Sequence, residues 1–166
     1  LRDVTEKYGG IYTASAVGEV NVVNAMKSSN AIIGGEGNGG IIYPESHYGR
    51  DALVGVALFL SLLAERKIAV STLRASYPSY FMSKKKIDLN PSIDVDTILA
   101  AIEARYSEEQ ISTIDGVKID FLTEWVHLRK SNTEPIIRIY TEAPTQKAAD
   151  NLGNKIINEI KEVAGI

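Results

Sequence analysis

Arg129-Lys130-Ser131-Asn132-Thr133-Glu134-Pro135-Ile136-Ile137-Arg138 sets cationic and polar side chains on a turn between two extended runs. The two arginines offer forked, permanently charged donors, and the Ser131 and Thr133 hydroxyls, the Asn132 amide and nearby backbone N–H groups can ring a dianion. The chemistry implied is the holding of a phosphate. A nucleotide cradle is not implied, since that needs a Gly-rich turn followed by Lys and Ser/Thr on a helix. Here the flanks Trp125-Val126-His127-Leu128 and Ile136-Ile137-Arg138-Ile139-Tyr140 have strand character. Ser-Asn-Thr-Glu-Pro is also a good hairpin loop for local steric reasons, so taken alone the segment suits a plain turn as well as a clamp.

A second segment shifts that balance. Gly34-Gly35-Glu36-Gly37-Asn38-Gly39-Gly40 follows the apolar run Ala31-Ile32-Ile33 and carries one carboxylate and one carboxamide among its glycines. Glycine permits close backbone approach and positive φ, so such a loop can deliver both polar groups to a small ligand. Glu36 accepts hydrogen bonds from hydroxyls, while Asn38 both donates and accepts; that pair suits a sugar better than a phosphate.

The two motifs, in this order, resemble the C-terminal half of the α-D-phosphohexomutases, the family of phosphoglucomutase, phosphomannomutase and phosphoglucosamine mutase. Gly35-Glu36-Gly37-Asn38-Gly39 matches the family's Gly-Glu-x-Ser/Asn-Gly sugar loop in its third domain, and Arg129 to Pro135 matches the Arg-x-Ser-Asn-Thr-Glu-Pro phosphate loop in its fourth. The resemblance implies that Arg129, Ser131, Asn132, Thr133 and Arg138 bind substrate phosphate. It implies that Glu36 and Asn38 bind the sugar, with Gly18 and Glu19 of the third-domain Thr-x-Val-Gly element near it. The longer run Gly-Gly-Glu-Gly-Asn-Gly-Gly, with the later Tyr48-Gly49-Arg50-Asp51, is most similar to the branch named phosphoglucosamine mutase or phosphomannomutase.

The family's chemistry is done by a phosphoserine in a Thr-Ala-Ser-His-Asn-Pro loop and a magnesium held by Asp-Gly-Asp-Gly-Asp, and neither loop is in this sequence. Thr13-Ala14-Ser15 begins like the first but continues Ala16-Val17-Gly18, so no catalytic residue is assigned in these 166 residues. The resemblance therefore implies Mg2+ and a hexose 1,6-bisphosphate activator only in a longer enzyme, whose N-terminal catalytic domains would be partners of this piece. Asp94-Val95-Asp96 reads as a helix cap and dipole partner, not a metal site. Asp115-Gly116 reads as a tight hairpin turn.

Net charge of −3 argues against a general nucleic-acid binder, and the absence of cysteine excludes disulfides and thiolate metal sites. The most apolar stretch, residues 52–64, is too short for an ordinary membrane span and reads as a buried helix. No signal peptide is evident, and a cytoplasmic location with no membrane partner is the expectation. The start at Leu1, inside a helical pattern, suggests an upstream strand cut away.

Positioning these loops requires two kinds of scaffold. Residues 1–76 read as a three-layer α/β sandwich lacking its first strand: helix over 1–8, strand over 11–14, helix over 17–27, strand over 31–34, sheet resuming over 41–43, and a long helix capped by Asp51. A second short helical region from Ile68 includes Leu73, and residues 74–79 are the candidate linker, with Pro78 disfavouring helix before it. Residues 77–166 read as an α+β domain, a small antiparallel sheet with helices on one face. Val117, Ile119 and Phe121 alternate with Lys118 and Asp120, and Thr145 caps a final helix with an apolar stripe from Ala148 to Val163.

Other polar residues have ordinary readings. His127 fits a partly buried strand position without a second ligand histidine, and Lys84-Lys85-Lys86 a solvated strand edge. His47 could reach substrate from its loop, Arg50 could meet phosphate or pair with Asp51, and Glu134 and Glu142 are assigned to orienting Arg129 or Arg138. Three functions remain at this stage: part of a phosphohexomutase, a free-standing phosphosugar-binding module, or a sheet-based nucleic-acid or protein-interaction domain. The missing loops predict that the 166-residue chain alone shows no mutase turnover. Incubation with glucosamine or glucose 6-phosphate, magnesium and the bisphosphate should give no more product than an Arg129→Ala/Ser131→Ala control. Excess product would locate a catalytic serine here.

Overall fold

A computed structural model describes every residue except Pro91, Ser92, Asn132 and Thr133. The chain divides into two compact units, Leu1–Pro78 and Ser79–Ile166. Unit 1 contains helices α1 (Arg2–Lys7) and α2 (Glu19–Ser29), strands β1 (Gly34–Gly35), β2 (Ile41–Tyr43) and β3 (His47–Arg50), and helices α3 (Ala52–Arg66) and α4 (Val70–Ala75). Unit 2 runs β4 (Phe81–Asp88), α5 (Val95–Arg105), β5 (Gln110–Ser112), β6 (Val117–Asp120), β7 (Trp125–Lys130), β8 (Ile136–Ala143) and α6 (Gln146–Ala164). The mixed α/β character of the first half and the antiparallel sheet with helices of the second both emerge as the sequence predicts.

In unit 1 the sheet is three short antiparallel strands in the order β1-β2-β3. Residues 11–14 are not a strand, and the expected strand over 31–34 begins only at Gly34. Backbone polar groups in an extended segment need a neighbouring strand, and no described neighbour pairs with Ile11 or Ile32, which are 94% and 80% exposed. β3 was not foreseen; a turn closed by Ser46 N–H donating to the Tyr43 carbonyl folds it back on β2. Helix α3 starts where Asp51 predicts, its carboxylate accepting from Leu53 N at 2.9 Å and Val54 N at 3.1 Å. Lys67 ends it in the left-handed conformation at φ 51°. None of its residues is buried, and Leu53 is 82% exposed, so its expected burial is not met within this unit.

Unit 2 is a five-stranded sheet in the order β4-β8-β7-β6-β5, antiparallel throughout. Alternation decides its two faces. Val126 and Leu128 of β7 and Ile137 and Ile139 of β8 are buried under α5 and α6, where they meet Ile102, Ile156 and others. Each such side chain contributes about 1.5–3 kcal/mol by leaving water. The intervening residues, Trp125, His127 and Arg129 on β7 and Arg138, Tyr140 and Glu142 on β8, lie on the opposite face of the sheet.

Capping fixes the helices of this unit. Asp94 accepts from Asp96 N at 3.1 Å and from the Thr97 hydroxyl at 2.7 Å, and Thr145 accepts from Ala148 N at 3.1 Å. The Asp94–Asp96 pair is thus a cap, and Asp96 also holds Lys130 at 2.6 Å. Edge strand β4 disposes its lysines separately: Lys84 lies over the Tyr140 ring, Lys85 donates to Asn154 and Lys86 pairs with Asp88. The division after Pro78 predicts that limited proteolysis cuts first within residues 74–80, because few contacts cross a unit boundary. Ser79–Ile166 should survive as a resistant core; first cleavage within residues 117–140 would contradict the division.

Candidate functional site

The phosphate-loop residues sit at the β7–β8 hairpin. Register pairs Arg129 with Arg138 directly across the ladder, and Arg138 in turn with Lys86 of β4. Three cations therefore occupy one row on one face of the sheet. Like charges directly opposite repel, so an anion over this row would relieve a cost already present in the fold. Arg138 is exposed and has no ion pair with a described residue. Ser131, 8% exposed, continues the hairpin with its N–H donating to the Ile136 carbonyl at 3.1 Å. Asn132 and Thr133, the other expected phosphate ligands, lie outside the described residues.

Arg129 is oriented by neither of the glutamates expected to do so. Glu142 lies farther along the strand, where it accepts from Trp125 Nε1 at 2.9 Å, and Glu134 is exposed on the loop. Asp115 meets Arg129 instead, its Oδ2 3.0 Å from Nε. The carboxylate approaches off the N–H axis, so this buried N–H forms an ion pair without completing a hydrogen bond.

His127, one position along the same face, is built into this arrangement. Its Nε2 lies 2.5 Å from the Asp115 carbonyl oxygen; a carbonyl only accepts, so Nε2 carries the proton. Burial pushes the imidazole pKa below its ordinary 6.5, partly offset by that carbonyl contact.

In unit 1 the sugar-loop residues form the β1–β2 hairpin loop. Gly35 pairs with Ile41, Glu36 N donates to Gly40 O at 3.0 Å, and Asn38 Oδ1 accepts from Gly40 N at 3.1 Å. Gly39 has φ 98°, a conformation that favours glycine. Gly18, at φ 119°, is the N-cap of α2, and Glu19 is that helix's first residue.

Arg50 joins these elements. Its Nε is 2.9 Å from Glu19 Oε2, its backbone N donates to Glu19 Oε1 at 3.1 Å, and its Nη1 is 3.4 Å from Glu36 Oε2. The backbone N–H first, and the guanidinium with it, holds the Glu19 carboxyl below its ordinary pKa. A Cβ at position 40 would strike the Arg50 stem, so Gly40 makes room for the bridge. Arg50 does not pair with Asp51, whose carboxylate is used by the α3 cap and by His47 at 3.1 Å. The structure thus brings Glu19 and Glu36 together through a residue that sequence reasoning left unassigned, and holds His47 on the helix cap.

Among the described residues no three His, Asp or Glu side chains are grouped as a metal would require. No described helix is long and apolar enough to cross a membrane.

Residues 1–80 match the model of phosphoglucomutase/phosphomannomutase α/β/α domain III, and residues 85–159 that of the C-terminal domain of the same family. The chain is 38% identical over 165 residues to the phosphoglucosamine/phosphogalactosamine mutase of Sulfurisphaera tokodaii, covering 98% of this chain and 35% of that one. It is 34% identical over 162 residues to the phosphoglucomutase/phosphomannomutase of Thermococcus kodakarensis, covering 96% and 36%. A crystal structure of a phosphoglucomutase/phosphomannomutase family protein from Burkholderia thailandensis superimposes with a TM-score of 0.74 at 22% identity, over 95% of this chain and 34% of that one. That likeness shows the fold. The chain spans about a third of the length of these relatives.

His127 gives this region a pH signature. Because its folded pKa lies below the unfolded value, the unfolded chain binds the extra proton, and stability falls as pH drops below about 6.5. Denaturant titrations of unit 2 between pH 7.5 and 5 should show this loss. His127→Gln should flatten it, and an unchanged slope would show that the imidazole titrates normally.

Proposed function

Because the chain belongs to the phosphoglucomutase/phosphomannomutase family, we propose that it is the substrate-holding part of a phosphohexomutase that interconverts hexose 6-phosphates and hexose 1-phosphates. The observation that carries this reading is the cross-strand arginine pair, Arg129 opposite Arg138, beside the buried Ser131. A row of cations, Arg138 and Lys86 exposed and Arg129 partly so, is poorly suited to a core and well suited to a dianion, which accepts charge-assisted hydrogen bonds from two guanidinium forks at once. We assign Arg129, Ser131, Asn132, Thr133 and Arg138 to the phosphate that is not being transferred.

Glu36 and Asn38 take ring hydroxyls in this proposal, with Gly18 and Glu19 near the sugar. Arg50 keeps the two carboxylates from repelling each other and aligns Glu36 as an acceptor. Such groups contribute to rate by holding the sugar so that either end can be presented to the phosphoserine elsewhere in the whole protein. No bond is made or broken at these residues. Transfer passes through the hexose 1,6-bisphosphate, so each phosphate in turn must be the one that is held. Magnesium belongs to the whole enzyme in this reading; the described residues do not fit it, and no step is assigned to it here. The hexosamine phosphates named for the Sulfurisphaera relative make glucosamine phosphate our first candidate, with mannose and glucose phosphates as the others. A cytoplasmic location follows from that substrate class.

The isolated chain should bind hexose 6-phosphate weakly. Each charge-assisted hydrogen bond is worth about 1.5–3 kcal/mol, but loop ordering and lost ligand freedom offset most of the sum. A net of roughly −4 kcal/mol corresponds to a Kd near ~1 mM. Amide chemical-shift mapping should place the largest changes at residues 129–138, with inorganic phosphate competing and neutral hexose inert. Arg129→Ala should remove the binding. Shifts confined to residues 36–40, or unchanged affinity in that variant, would overturn the assignment of the clamp.

A further inference from the structure

Asp115 belongs to the β5–β6 turn, and nothing in the turn's own geometry requires a carboxylate there, because Asn-Gly serves such a turn equally well. Yet its side chain is placed with unusual definition. The Asp115 carbonyl is held by His127 Nε2, and the next residue, Gly116, has φ 75° and lies so close to β7 that a Cβ would collide with the Leu128 carbonyl oxygen and crowd Arg129 Cα. The turn is therefore pressed onto the strand that carries Arg129. Its carboxylate ends 3.0 Å from Arg129 Nε, both side chains being little more than a quarter exposed.

From this we infer that Asp115 is the positioning residue of the phosphate clamp: it fixes the Arg129 guanidinium by its Nε edge and leaves the two terminal nitrogens to the phosphate. The inference rests on the clamp reading above. A guanidinium has five N–H donors in a rigid plane, so an anchor on Nε settles the direction of the remaining donors. His127 serves the same end indirectly, by holding the Asp115 backbone. An unanchored arginine would sample rotamers and lose that side-chain freedom on capturing a ligand; the anchored one has surrendered most of it in advance.

The alternative that Asp115 merely competes with phosphate for Arg129 makes the opposite prediction. Removing a negative charge beside a dianion site should then tighten binding. Asp115→Asn keeps the turn and removes only the charge, so the sign of its effect decides between the two.

Two readouts on the 166-residue chain are needed. The first requires no ligand: the 15N–1Hε signal of Arg129, identified by its loss in Arg129→Lys, should exchange slowly with solvent in the parent chain, because the ion pair keeps the Nε–H buried against the β5–β6 turn. Asp115→Asn should abolish that protection, and Asp115→Glu should retain part of it. The second is titration with inorganic phosphate. Asp115→Asn should weaken binding about three- to tenfold, within the range of couplings between contacting residues, and should have no further effect in an Arg129→Ala background.

Loss of protection with weaker, non-additive binding supports the role. Equal protection in Asp115→Asn, or equal or tighter phosphate binding, overturns it. If the parent chain binds phosphate no better than Arg129→Ala does, the clamp itself is refuted and the positioning role goes with it. That outcome is separable because the Hε signal reports the Asp115 contact without any ligand.

Discussion

Register between β7 and β8 is the constraint on which the phosphate site depends. The side-chain period of a strand is two, so Leu128 facing Ile139 in the core forces Arg129 to face Arg138 on the other side. A one-residue slip of β8 would bury Arg138 and expose Ile137 and Ile139, and a slip of β7 would bury Arg129 and expose Leu128; all three apolar side chains are fully buried in the observed register. Burial of these side chains is worth about 1.5–3 kcal/mol apiece, whereas opposed like charges on a sheet cost up to about 1 kcal/mol. The core therefore wins, and the repelling pair is held in place by apolar contacts on the far side of the sheet. Ligand binding inherits a charge arrangement that the fold has already imposed.

Much of unit 2 could be read in the sequence because its signals are local. Alternation over residues 117–121, the caps at Asp94 and Thr145, and the turn residues after Arg129 each act within a few positions of one another. The orienting carboxylate was misassigned because it is decided by distance in space. Glu134 and Glu142 are near Arg129 and Arg138 in sequence, but alternation and register send Glu142 to Trp125, and a neighbouring hairpin delivers Asp115 instead. Knowledge of which strand lies beside β7 was needed to see this.

Unit 1 was less legible for a related reason. Residues 11–14 and 31–33 have strand-like composition, yet a strand exists only where a neighbour accepts its hydrogen bonds, and composition does not supply the neighbour. The sugar loop was visible through its glycines, but Arg50 was not visible as the bridge. Its adjacent residue Asp51 looks like a partner until the helix cap occupies that carboxylate, which leaves Glu19, 31 residues away in the chain, to receive the guanidinium. Local rules thus located the loop and missed the residue that steadies it.

Helix α3 carries a consequence of another kind. Leucine, valine and phenylalanine lie on several of its sides, and Leu53, Val56 and Leu60 are each more than half exposed. Attraction between such surfaces comes mainly from water and weakens on cooling. Any contact made through this helix is therefore one that loosens in the cold and tightens with warmth.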